Sequence, residues 1–169
     1  GTFSGSGKPE KLAVIKAADL PHAAGLDAHI AAVYDGETLE NLSANYFATD
    51  RFRYHLYEDA DGRGYFGWTG FSMSTGLFDY SFGLYEMGNP WTQISPYRFE
   101  QDESSYISLD EQGVVHVYRD LLSQPRSGRY TLMLGEPDYT LTFDKTSHGM
   151  VRNNIPDEEK KSQYYDVSE

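Results

Sequence analysis

The closest approach to a chemical motif in this 169-residue chain is Asp59-Ala60-Asp61-Gly62-Arg63-Gly64, in which two carboxylates two residues apart precede a glycine. Acids spaced in this way open the loops that surround calcium with oxygen ligands. The match ends there. The twelfth loop position, where a bidentate acid is required, is Gly70, and Arg63 brings a repelling charge. The segment therefore reads as an exposed hairpin turn, and no metal is expected.

Other signatures fail on similar grounds. Gly70-Phe71-Ser72-Met73-Ser74 places serine where a nucleophile elbow needs its second glycine. Gly5-Ser6-Gly7-Lys8 imitates the end of a phosphate loop, but Pro9 replaces the required hydroxyl residue. His22, His29, His55, His116 and His148 form no pair at helical or strand spacing, so none is read as a metal ligand. Asp79 and Glu86 lie near Trp68 and Trp91 in sequence, as a glycoside-cleaving pair would. Such a pair must stand roughly 5–10 Å apart. The absence of cysteine removes thiol catalysis, disulfides and thiolate metal sites. No catalytic residue and no cofactor is assigned.

The residues best suited to recognition lie in the proline-punctuated stretch from 85 to 99. It carries Trp91, Tyr97 and Arg98, with Tyr85 and Met87 at its base. Tryptophan, tyrosine and arginine are the side chains most enriched at interface hot spots. A rigid aromatic loop can equally plug one end of its own sandwich. Asn41-Leu42-Ser43 satisfies a glycosylation sequon and informs only if the chain passes through a glycosylating pathway.

The elements that position these residues divide at about residue 50. Before it, residues 11–20 form a short apolar run, strand or helix. Leu26 to Tyr34 is alanine-rich with apolar residues at helical spacing, closed by Asp35-Gly36, and Leu39, Leu42 and Tyr46 share one helical face. After it the period becomes two. Residues 51–58 and 65–73 predict a hairpin about the 59–64 turn, and 77–87 predict a strand ended by Asn89-Pro90. A second hairpin joins 105–109 to 114–121 through Asp110-Glu-Gln-Gly113, and a third joins 129–134 to 139–143. Sixteen of the 25 aromatic residues fall between Tyr46 and Phe99. Strands with rings on both faces must cover two surfaces, with protein or with a ligand.

The expected fold is α+β and predominantly antiparallel β: one or two N-terminal helices, then a meander of seven or more strands as a sandwich or strongly curved sheet. A closed β-barrel is the alternative. Residues 1–10 read as a flexible linker or tether, 11–143 as one globular domain, and 144–169 as a weakly packed tail. Net charge is −12. That repels nucleic acid and anionic lipid and steers basic proteins toward the chain. No apolar run is long enough for a membrane span. The N-terminal tether suits a lipid-anchored, envelope-associated or exported protein, with the cytoplasm as the alternative.

The leading functional expectation is a non-catalytic binding domain that engages a protein partner, such as an inhibitor or immunity-type protein of a basic enzyme or toxin. A small-molecule-binding β-domain for lipid or sugar comes second. A small hydrolase using dispersed carboxylates comes third.

Overall fold

The computed structural model describes residues 1–17, 27–74, 77–94, 105–119 and 137–156. Eleven strands lie among them: β1 Glu10–Ala17, β2 Ala28–Asp35, β3 Asn41–Ala48, β4 Asp50–Glu58, β5 Gly64–Ser74, β6 Leu77–Glu86, β7 Thr92–Gln93, β8 Ser105–Leu109, β9 Val115–Arg119, β10 Tyr139–Asp144 and β11 Gly149–Asn154. They form three antiparallel sheets, each a simple meander, with orders β1-β2-β3, β4-β5-β6-β7 and β11-β10-β9-β8.

The second sheet is the middle layer, and pleat alternation explains why. Successive side chains of a strand point to opposite faces. On β5, Phe66 joins Ala31, Val33 and Phe47 of the first sheet together with Met87. Its neighbour Tyr65 joins Ile107, Leu109, Val115, Val117, Tyr139 and Leu141 of the third sheet, with Phe82 and Leu84 of β6. One sheet is thus roofed on both sides. Rings on both of its faces, Phe66 on one and Tyr65 and Phe82 on the other, are covered by protein.

The expected N-terminal helices are not present: there is no helix among the described residues, and residues 10–17, 28–35 and 41–48 are strands. The alanine-rich segment misleads because β2 is the middle strand of its sheet. Ala28, Ala31, Ala32 and Val33 are all buried, so apolar residues occupy both faces and the period of two is lost. His29 turns toward the middle sheet and stacks on Phe52 at 4.4 Å. The Leu39-Leu42-Tyr46 spacing is a coincidence of three environments. Leu39 is an exposed turn residue with φ of 59°, Leu42 falls at the irregularity in the β2–β3 register, and Tyr46 is half-exposed. Asp35-Gly36 is a β-turn rather than a helix stop. Asp35 Oδ1 accepts from the amides of Glu37 and Thr38, and a Cβ on Gly36 would lie 2.5 Å from the Pro9 carbonyl oxygen.

The closed barrel is also overturned, because the three sheets keep separate edges. The 51–58/65–73 hairpin appears as β4–β5 and the 105–109 hairpin as β8–β9. Of the third expected hairpin, residues 129–134 lie outside the described residues. Its second strand, β10, pairs with β9 and with β11. In the segment 1–10, read as a flexible linker or tether, Phe3 packs against the first core, and Ser4 and Ser6 hydrogen-bond the buried Glu10 carboxylate at the start of β1. Strand β11 lies within the stretch read as a tail.

Candidate functional site

The structure gives the expected recognition residues different surroundings. Trp91 lies over the first core, with its ring 5.4 Å from Phe66 and 6.4 Å from Tyr85, and its Nε1 donates to Ser43 Oγ at 2.9 Å. Met87 is fully buried, and Tyr85 meets Phe47 edge-on at 5.9 Å. These three fasten the first sheet to the middle one. Tyr97 and Arg98 lie outside the described residues.

Two Asp–His pairs are the nearest approach to acid–base chemistry. Asp59, at the β4–β5 turn, has a buried side chain that accepts four hydrogen bonds. Oδ1 takes the amides of Asp61 and Arg63, and Oδ2 takes the Tyr65 hydroxyl and His148 Nδ1 at 3.1 and 3.0 Å. Burial pushes its carboxyl up, but the donors outweigh burial and hold it below the usual carboxylate range. Burial and the Asp59 carboxylate push the Tyr65 phenol up to about 12. Asp59, Asp61 and His148 bring three potential ligand atoms within 4.8 Å of one another. Both Asp59 oxygens are already taken by protein donors, so the cluster acts as a turn lock that ties the β10–β11 turn to the β4–β5 turn.

Asp110 repeats the pattern at the β8–β9 turn. Its Oδ1 accepts from the amides of Gln112 and Val114, and its Oδ2 lies 2.7 Å from His116 Nε2. Burial raises its carboxyl, and His116 and the amides more than reverse this. Sequence spacing hid the pair, because the turn brings together residues six apart. Among the described residues, neither histidine's second ring nitrogen has a hydroxyl partner, so no nucleophile completes a triad. Asp79 and Glu86 stand seven residues apart on β6, about 23 Å along an extended strand. That is too far for the two-carboxylate mechanism. Glu86 instead faces Arg63 at 3.8 Å.

The open feature is a groove between β4, the edge of the middle sheet, and β8, the edge of the third. It comprises a cavity of about 370 Å³, lined by Arg51, Arg53, Thr69, Phe71 and Ile107 among others, and a shallower one of about 750 Å³ reaching Tyr54, His55, Leu109 and Glu111. Phe52 and Arg53 line both. The β4–β5 register shifts between Asp50 and Arg53, and Arg51 there adopts φ of 49°. Bulges of this kind re-aim side chains. The Arg51 guanidinium lies over the Phe71 ring at 5.4 Å from its centroid.

Sequence reasoning missed this site because alternating arginines on a strand read as a solvated face. The only local signal was Arg51-Phe52-Arg53-Tyr54, a basic and aromatic run in an acidic chain. No family model matches the sequence, and neither the curated proteins nor the solved structures give a significant match. Among the described residues no helix is long and apolar enough to cross a membrane.

Proposed function

We propose that this chain is a non-catalytic binding domain that engages a protein partner through the groove between β4 and β8. The observation that carries the reading is the groove's construction. Two strand edges, unpaired by any strand among the described residues, flank a trough lined by both aromatic and polar residues. An extended segment can add to such an edge through main-chain hydrogen bonds while alternate side chains enter pockets. Tyr54, which lines the shallower cavity, remains 46% exposed on β4 and leaves apolar area for a partner to cover.

The charge of −12 favours a basic partner in the encounter step, because long-range attraction raises association rates before contact. Trp91 and Tyr85 are the weaker candidates, since their rings are spent on joining two sheets. Panning a random peptide library on the immobilised protein tests the reading. Enriched peptides are expected to shift amide resonances of β4 and the β8–β9 turn and to lose binding with Tyr54→Ala. Failure to enrich any peptide, or shifts confined to the first sheet, would overturn it.

A further inference from the structure

We infer that the Arg51–Arg53 end of the groove is a carboxylate subsite, built for a monoanionic acid that carries an apolar or aromatic group. This rests on the groove being the binding surface. Four observations converge on it.

The first is unspent charge. The chain has 26 acidic and 14 basic residues, so an arginine has abundant candidates for pairing. Arg63 finds Glu86, Lys16 finds Asp27, and Arg152 stacks on Tyr139 at 3.8 Å. Among the described residues neither Arg51 nor Arg53 forms an ion pair, yet both line the same 370 Å³ cavity. The second is that the adjacent acid is committed elsewhere: Asp50 Oδ1 accepts the Asp27 amide at 3.1 Å.

The third is backbone strain at the arginine itself. Arg51 holds a left-handed conformation, which is costly for a residue with a side chain. A glycine there would remove that cost and lose the guanidinium. The conformation holds the guanidinium over Phe71, which positions it at the cavity wall. The fourth is the lining. Phe71, Tyr80 and Ile107 supply apolar walls, Thr69 is the cross-strand partner of Arg53, and Ser108 lines the same cavity.

Guanidinium matches a carboxylate by paired, parallel hydrogen bonds. At physiological salt the screening length is about 8 Å, so two arginines acting on a carboxylate at contact distance outlast the repulsion of the distant net charge of −12. The acid could be a free small molecule or the C-terminal residue of a protein chain. A basic partner with an apolar C-terminus would satisfy both the long-range and the local field.

N-acetyl-phenylalanine, its amide and 3-phenylpropionate distinguish these cases, titrated into labelled full-length protein at about 0.15 M salt and followed by amide chemical shifts. The acid should bind with about millimolar affinity, as small fragments do, and shift residues of β4, Thr69 and β8. The neutral amide should bind about tenfold more weakly, although the net charge favours it. Arg51→Gly, which keeps the left-handed backbone, and Arg53→Gln should each erase most of that preference without lowering the melting temperature. If N-acetyl-phenylalanine binds clearly tighter than 3-phenylpropionate, the subsite recognises a chain end. If the two bind equally, it recognises a free acid. Equal binding of acid and amide in the groove would overturn the carboxylate subsite and leave the groove reading intact. Shifts elsewhere, or none, would overturn the subsite, and the peptide panning then decides the groove independently.

Discussion

Phe66 and Gly67 are neighbours on β5 that point to opposite faces of the middle sheet, so substituting each by alanine tests the three-layer architecture directly. Phe66 is fully buried and meets Phe47 at 5.5 Å, Phe52 at 6.3 Å, Tyr54 at 5.2 Å and Trp91 at 5.4 Å. Phe66→Ala removes the ring's transfer energy and leaves a cavity among side chains that cannot collapse freely, a loss of about 4 kcal/mol. That corresponds to a melting temperature lower by roughly 8–16 °C in a chain of this length. Gly67→Ala acts on the other face. Its Cβ would stand 2.6 Å from Tyr57 Cε2, and that ring is held by its hydroxyl donating to the Gly113 carbonyl at 2.8 Å. Overpacking costs about 1–3 kcal/mol, and the lower backbone entropy of alanine returns up to about 1 kcal/mol, for a net loss near 1–2 kcal/mol. Urea denaturation followed by circular dichroism and tryptophan fluorescence measures both. In a two-layer sandwich one face of β5 meets water, and one of these substitutions would be silent. A loss below about 0.5 kcal/mol at either position would therefore refute the middle-layer assignment.

Trp91→Phe keeps the ring contacts and loses the hydrogen bond to Ser43, so it should cost about 1 kcal/mol. Ser43→Ala should cost a similar amount, and a double mutant showing full additivity would mean the bond is not formed in solution. Glu10, Asp35, Asp59, Asp110 and Asp144 all lie below the ordinary carboxylate range. Their stabilisation is present above about pH 4 and is lost as pH falls through their lower folded values, so acid unfolding should be steep. Stability unchanged between pH 5 and pH 2, on the order of those limits, would contradict this. Millimolar calcium should leave the melting temperature unchanged, since Asp59 already accepts four protein hydrogen bonds; a rise of several degrees in a thermal scan would show a cation displacing them.

The hairpins were legible because turn chemistry is local. Asp59 and Asp110 each fold back on the amides two and four residues ahead, with Gly62 and Gly113 at φ of 80°, and such turns specify antiparallel neighbours without reference to the rest of the chain. The helices expected before residue 50 were wrong because periodicity assumes one wet face, and β2 has both faces covered. Trp91, Tyr85 and Met87 stand out in the sequence as an aromatic, proline-punctuated stretch, but their place in the packing between sheets was not in the spacing.

By itself, the sequence determined the two hairpins about Asp59 and Asp110, the net charge and the concentration of rings. Only the tertiary structure decided what covers them. Phe66 and Tyr65 look alike in the chain, yet they belong to different cores because sheets stack on both sides of β5. The same stacking leaves β4 and β8 as edges of their sheets and brings Arg51 and Arg53 to one cavity with Ile107, more than fifty residues away. Turn preferences act over four residues and can be read in order. Burial is a sum over neighbours from distant parts of the chain, and it exists only once the layers have met.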